Sequence, residues 1–328
     1  MHTLDDVYKL AESLGLIVDS FILDGAWHSV KATNGVKTKK SGTYCLSELT
    51  LKSGKVAVLG MLFNWLTGEE ERLTLDGLTD ITEEELEEAK RRARRAAEEA
   101  KKAKAAAQQE TAERAQKAWD KLPTGGKSDY LNAKKVKPHG IRFARGKIVV
   151  PARDMNGKLW NLQWIDPDGS KKFMSNGAVR GRFHLIGLPS GVLSDIIFVV
   201  EGYATGATLH EVKGWPIAIA FNATNLLPVA QVLHEAYPDA LIVICSDQDI
   251  YNGYEQAFIK EKDITPAVRD QVALLKFSRP DVSIEFVDND DPRTKDRKKS
   301  HNAGLAAAVI AAAKVNGVVF VPRISSAT

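Results

Sequence analysis

The 328-residue chain carries 45 Lys and Arg against 42 Asp and Glu, with 44% hydrophobic and 27% charged residues. Those proportions fit a globular protein of about two domains at roughly 100–200 residues each and exclude a disordered tail or a fibre. The longest near-apolar run, Leu305 to Ala313, is far short of the roughly 20 residues that cross a bilayer, and two cysteines, Cys45 and Cys245, cannot build a disulfide framework or a cysteine-rich zinc site.

Met1-His2-Thr3-Leu4-Asp5-Asp6 lacks the basic-then-apolar pattern of a signal peptide, so a cytoplasmic protein without membrane contact is expected. Charge is unevenly spread. From Gly25 to Leu66 there are six Lys and one acid, Glu48, and from Lys127 to Ile186 thirteen Lys or Arg and four Asp. From Gly187 onward seventeen acids outnumber thirteen bases. A basic front and an acidic back suggest a polyanion held beside a carboxylate metal site.

Four blocks follow in chain order. Residues 1–80 read as a small strand-rich module with an opening helix over Leu4 to Ser13 and a strand at Lys55-Val56-Ala57-Val58-Leu59. Residues 81–123 begin with a capping box, Thr82-x-x-Glu85, and continue with twelve Ala, eleven Lys or Arg and ten Asp or Glu up to Lys121. Leu86 and Trp119 are the only large apolar residues there, so the pattern predicts a solvated helical connector about 58 Å long.

Residues 124–187 form a basic α+β block. Gly146 to Pro151 and Leu159 to Ile165 are predicted strands, with a tight turn at Pro167-Asp168-Gly169. Its opening, Thr124-Gly125-Gly126-Lys127-Ser128, invites comparison with a phosphate-binding loop. A helix precedes it and Lys121 occupies the position of the first required Gly, so a hinge is expected.

Residues 188–328 alternate strands and helices. Strands are predicted at Ile196–Val200, Ile217–Phe221, Leu241–Cys245 and Ser283–Val287, with helices over Tyr203–Val212, Asn225–Ala236 and Gly304–Val315. This rhythm argues for a mostly parallel α/β sheet with flanking helices. Glu201-Gly202 follows the first strand, Asp247-Gln248-Asp249 the third, and Asp288, Asp290 and Asp291 the fourth. Ligands of open α/β sheets bind beyond the carboxyl ends of the strands, and clustered carboxylates repel one another unless cations neutralise them. Oxygen donors without nearby Cys favour Mg²⁺ or Mn²⁺ over zinc.

Phe198-Val199-Val200-Glu201-Gly202-Tyr203-Ala204-Thr205, followed by Ile242-Val243-Ile244-Cys245-Ser246-Asp247-Gln248-Asp249, resembles the Toprim domain of primases, topoisomerases and some nucleases. The upstream segment, with Gly146 to Asp154, Gly157, Lys171-Lys172-Phe173 and Phe183 to Gly187, resembles the basic lobe that precedes Toprim in bacterial primases. The whole order, including His139-Gly140-Ile141-Arg142, is similar to plasmid- and phage-encoded Toprim primases. The resemblance implies primer synthesis by a nucleotidyltransferase for phage or plasmid DNA replication. Its partners would be a single-stranded DNA template, nucleoside triphosphates and a replicative helicase, with the chain acting as a monomer.

The same resemblance implies residue roles. Glu201, Asp247 and Asp249 would be catalytic and hold Mg²⁺ or Mn²⁺, with Asp291 as a further ligand. Arg153 and Lys172 match basic positions that meet phosphates, and Arg142, Arg145, Lys147 and Lys171 extend that set. In the first block, Trp27, Lys39 and Lys40 are candidates to hold a single strand by stacking and charge.

The pattern also departs from the family. Thr205 stands where the bacterial replicative enzymes have an acid, Gly253 lies one residue late, and their zinc ribbon is absent. Asp288, Asp290, Asp291 and Asp296 compete for the last acidic position, and Asn302 matches an asparagine of mobile-element relatives. A Toprim nuclease and a catalytically silent single-strand binding protein therefore stand as alternatives. His28 and His184 are expected to be structural.

Overall fold

A computed structural model describes residues 3–33, 41–50, 54, 56–64, 67, 69–74, 83–187, 195–246, 255–279, 281–289, 291 and 302–321. The chain divides into two compact units, Met1–Ala105 and Ala106–Thr328. The helical connector expected at 81–123 is thus shared between them. Among the described residues no helix is long and apolar enough to cross a membrane.

The first unit opens with helix α1 (Leu4–Ser13), whose Thr3 N-cap and Asp6 form a capping box. Strands β1 (Leu16–Ile17), β2 (Asp24–Ala32), β3 (Gly42–Thr50), β4 (Val56–Asn64) and β5 (Glu70–Leu73) follow as one sheet in that order. All its pairings are antiparallel. Val7 and Ala11 of α1 pack on Tyr44, Leu46, Val58 and Leu62, so one face of the sheet builds the core of this unit. At β3–β4 the backbones close in at Gly60, where a Cβ would come within 1.9 Å of the Cys45 carbonyl oxygen.

Helix α2 (Glu83–Lys121) runs 39 residues. Its last turns correct the expectation of a helix without a packed face. Ala112, Ala115 and Trp119 are buried, and Ala115 and Trp119 join Val149, Leu159 and Leu162 in one cluster. Ala side chains allow close backbone approach, which a search for large apolar residues overlooks.

The second unit continues with α3 (Asp129–Lys134) and a four-stranded antiparallel sheet of β6 (Arg142–Ala144), β7 (Lys147–Arg153), β8 (Leu159–Ile165) and β9 (Lys171–Phe173). The Thr124–Ser128 segment lies between α2 and α3, and Gly126 packs so closely on Phe143 that a Cβ would meet its ring at 2.6 Å. Glycine at 126 thus permits close packing of this segment on β6.

The main sheet is built from β10 (His184–Ile186), β11 (Ile196–Val200), α4 (Tyr203–Lys213), β12 (Ile217–Ile219), α5 (Leu226–Ala236) and β13 (Leu241–Cys245). Beyond these lie β14 (Glu255–Lys260), α6 (Pro266–Ser278), β15 (Val282–Val287), α7 (Ala303–Lys314) and β16 (Val318–Phe320). The strand order is β10-β12-β11-β13-β16, with β10 antiparallel and the rest parallel.

Both faces of this sheet are covered, as a parallel sheet requires. Phe198, Val200, Ile219 and Val243 share a cluster with Ile148, Val150 and Ile165 of the β6–β9 sheet. Ile197, Val199, Ile242 and Ile244 pack instead with Leu226 and Leu233 of α5 and Ala308 and Ala312 of α7. One sequence expectation fails here. The Ser283–Val287 strand is not a neighbour of the other three, because β15 pairs in parallel with β14 in a separate two-stranded sheet. The fifth strand of the main sheet is β16, a run of three residues too short to be legible as a strand beforehand.

Candidate active site

Strand β12 lies on one side of β11 and β13 on the other, so the carboxyl ends of β11 and β13 flank the point where the strand order reverses. That crevice is the ligand-binding position of a doubly wound sheet. Glu201 follows the last residue of β11, and buried Ser246 follows the last residue of β13. Val199 pairs with Ile244, which sets Glu201 and Ser246 at matching levels of the edge. Asp247 and Asp249 lie outside the described residues, as do Lys39, Lys40, Gly253, Asp290 and Asp296.

Glu201 is half-buried and faces the first turn of α7. A Cβ on Gly304, the second residue of that helix, would come within 2.3 Å of Glu201 Oε1 and 3.2 Å of Asn302 Oδ1. Asn302 is fully buried, and its Oδ1 accepts the Leu305 N–H at 2.8 Å as the N-cap of α7. Carboxylate charge is favoured at a helix N-terminus, where unpaired N–H groups concentrate positive potential. Gly304 was not singled out in the sequence. Only the approach of Glu201 gives it meaning.

On its other side, Gly202 is the N-cap of α4 and borders a cavity of about 520 Å³ lined by Tyr130, Lys134, Asp168, Lys171, Ala204 and Thr205, among others. Lys171 Nζ comes within 3.7 Å of where a Cβ on Gly202 would sit. Register explains why this lysine and not its neighbour reaches the cavity. Ile165 pairs with Lys171 and Trp164 with Lys172, and Ile165 belongs to the cluster shared with the main sheet. Trp164 packs with the α2 cluster. Alternation along β9 therefore sends Lys171 toward Gly202 and Lys172 to the opposite face. Lys134 is a cavity residue that the sequence analysis did not name.

Three of the other basic candidates, Arg142, Arg153 and Lys147, have intramolecular partners. Arg142 Nη1 donates to the Trp119 and Leu122 carbonyls, and its guanidinium lies 4.7 Å from the Trp119 ring centroid. It thereby caps the carboxyl end of α2. Arg153 lies 5.7 Å from the same ring and donates to the Gly157 carbonyl at 2.7 Å. Burial, and then the nearby Arg142 charge, lower the Arg153 pKa from its usual value. Lys147 pairs with Asp166 at 2.5 Å, and hydrogen bonding to Lys147 holds the Asp166 carboxyl below the usual range. Arg145 is exposed in a left-handed turn position with φ 49°. Trp27, on β2 of the first unit, is 58% exposed.

Tyr203, directly after Glu201-Gly202, is buried and ties the start of α4 down. Its hydroxyl donates to the Lys137 carbonyl at 3.0 Å and accepts the His139 N–H at 2.7 Å. Glu211 secures the same segment by accepting from the Lys137 N–H at 2.7 Å, and it meets the His139 ring at 2.8 Å. Those bonds, the backbone one foremost, hold its carboxyl below the usual range. His184 stacks on Tyr203 and meets the His139 carbonyl at 2.8 Å, and burial lowers its pKa to about 4. His28 contacts Asp24 at 2.8 Å and stacks on core Tyr44. Both histidines are structural.

Asp291 is half-buried and follows β15, its N–H donating to the Asp288 carbonyl at 3.1 Å. Its strand is not part of the sheet that carries Glu201, so three adjacent strands do not bring acids to one edge. Among the described residues no group of three or more His, Cys, Asp or Glu is placed to hold a metal ion.

The fold and this edge define an α/β protein with an acidic residue at a sheet switch point and a lysine-lined cavity beside it. Its sequence relatives are DNA primases. The chain is 32% identical over 276 residues to a protein named DNA primase TraC from Escherichia coli, a match covering 80% of this chain and 25% of that protein. A second protein of the same name and organism is 34% identical over 134 residues, 40% of this chain and 9% of the relative. The chain thus spans a quarter or less of the curated relatives it matches.

Solved structures give partial likenesses. The DnaG primase catalytic domain bound to single-stranded DNA aligns over 62% of this chain and 79% of that one, at 15% identity and a TM-score of 0.33. The primase fragment of the bacteriophage T7 primase-helicase protein aligns over 37% of this chain and 50% of that one, at 20% identity and a TM-score of 0.28. No family model matches the chain.

Proposed function

We propose that this chain is a metal-dependent primase of the Toprim type, a nucleotidyltransferase that makes short primers on single-stranded DNA for plasmid or phage replication. The observation that carries this reading is the position of Glu201, at the β11–β13 switch point between the first turn of α7 and a cavity bordered by Lys171. The relatives named DNA primase supply the reaction class.

The donor chemistry fits Mg²⁺ or Mn²⁺, because Glu201 offers hard oxygen atoms at a half-exposed sheet edge and Asp247 and Asp249 follow the neighbouring strand in sequence. Glu201, Asp247 and Asp249 would hold the ions, with Asp291 as a further candidate. When bound, such ions lower the pKa of an attacking hydroxyl and neutralise charge on the departing pyrophosphate.

The chain's own groups complete the chemistry. Lys171 and Lys134 bind triphosphate oxygens in the cavity by charge-assisted hydrogen bonds. A Glu201 carboxylate oxygen accepts the proton of the primer 3′-hydroxyl. Tyr203 and Glu211 fix α4 against residues 137–139, so the Glu201-Gly202 backbone does not shift as charge develops. Arg153 and Lys172 lie on the lobe that would face the template backbone, and a replicative helicase is the natural partner of such a core.

The test is nucleotide incorporation on assorted single-stranded templates with Mg²⁺ or Mn²⁺. Glu201→Gln is expected to lower incorporation at least about a hundredfold while leaving template affinity unchanged. Normal synthesis by that variant defeats the reading. Shortening of end-labelled DNA with Mg²⁺ and no nucleotides would show a nuclease instead.

A further inference from the structure

The cavity beside Gly202 has a polarity of its own. Its charged lining residues are Lys134, Lys171 and Asp168, and Asp168 Oδ1 already accepts the Ser170 N–H at 2.9 Å. Hydrogen bonding to Ser170 holds that carboxyl below the usual range, so it carries a full negative charge. Two ammonium groups against one carboxylate still leave the lining net positive. A divalent ion wants several oxygen donors, whereas the described lining offers it a single acid. The space suits an anion.

Gly202 shows where that anion fits. A Cβ there would lie 3.7 Å from Lys171 Nζ and 3.8 Å from Thr205 Oγ1. The ammonium and the hydroxyl thus look onto one point and stand at most about 7.5 Å apart. A phosphate with two of its oxygens turned outward reaches both at charge-assisted hydrogen-bond lengths of about 2.5–2.9 Å. Glycine leaves that point free of side chain. Ala204 and Thr205, in the first turn of α4, line the same cavity, and the Gly202 N-cap supplies no side-chain bond to that turn.

Thr205 sets the sign of the site. The acid that bacterial replicative primases carry at this position would attract a cation and repel phosphate. A hydroxyl adds no charge and donates a hydrogen bond to a phosphate oxygen.

We infer that Gly202, Thr205 and Lys171 form a metal-independent cradle for the triphosphate tail of the nucleotide, in which Thr205 is a phosphate ligand and Gly202 makes the room. This rests on the reading of the cavity as the nucleotide site. It adds two residues to that site and separates tail binding from the ions at Glu201.

The test is isothermal titration calorimetry of the full chain with inorganic tripolyphosphate, in EDTA and without added metal. The wild-type chain is expected to bind. Thr205→Val keeps the shape and loses the hydroxyl, and should weaken binding about fivefold, while Thr205→Ser retains most of it. Gly202→Ala should weaken binding about tenfold or more, because its methyl takes the phosphate position. That methyl meets only ordinary contacts and the backbone is extended, so the melting temperature should hold. Thr205→Asp should leave no measurable binding, with or without Mg²⁺.

Wild-type binding that requires Mg²⁺, or unchanged affinity in folded Gly202→Ala and Thr205→Val proteins, overturns the cradle. Tighter Mg²⁺-dependent binding by Thr205→Asp also overturns it, by marking position 205 as a metal ligand. Thr205→Val decides the matter even if Gly202→Ala does not fold. Glu201→Gln should bind tripolyphosphate as wild type. A chain that incorporates no nucleotide yet shows these losses keeps the cradle and loses only the polymerising reading. A polymerising chain whose variants all bind normally does the reverse.

Discussion

The two faces of the β6–β9 sheet use similar charges in opposite ways. On the α2 side, Arg142 and Arg153 lie over Trp119, and Arg142 also holds the last carbonyls of α2. On the other side, Ile148, Val150 and Ile165 merge with the main-sheet core, and Lys171 borders the Glu201-Gly202 corner across an open cavity. One face uses cations to seat a helix. The other keeps a cation beside space. Basic residues within one stretch of sequence therefore divide into helix-facing and cavity-facing groups by strand alternation, a distinction that charge counting cannot make.

The largest expected effect lies on the α2 side. Trp119→Ala removes the ring that anchors α2 and leaves two guanidiniums without it, and should lower stability by about 3 kcal/mol or more. Urea denaturation of the second unit measures this. A loss below about 1 kcal/mol would mean the Trp119 face is not packed as described.

On the Glu201 side, Gly304→Ala should depress nucleotide incorporation by about a hundredfold, because the new Cβ takes the space now held by Glu201 Oε1. Helix propensity favours Ala over Gly, so the melting temperature should hold. Loss of activity together with loss of fold would place the defect in packing and not in the carboxylate.

A direct comparison of the faces comes from the paired lysines. Lys171→Ala should raise the KM for nucleotide about tenfold, as expected for loss of a charge-assisted phosphate contact, while Lys172→Ala should stay within about twofold. Equal effects from the two variants would erase the contrast between the faces.

Much of this protein was legible before any coordinates. The opening helix over Leu4–Ser13 and the strands from Ile196 and Leu241 follow from local periodicity, which depends on neighbours in sequence. Glu201-Gly202 could be read because sequence order alone places it at a strand's carboxyl end. Tertiary packing settled the remainder. That α2 docks through Ala112, Ala115 and Trp119, that β15 leaves the main sheet for β14, and that Lys171 and Lys172 part company all depend on pairings between distant segments. The same holds for Gly304 beneath Glu201, roughly a hundred residues away in the chain, since a missing Cβ acquires a purpose only when another element's side chain fills its place.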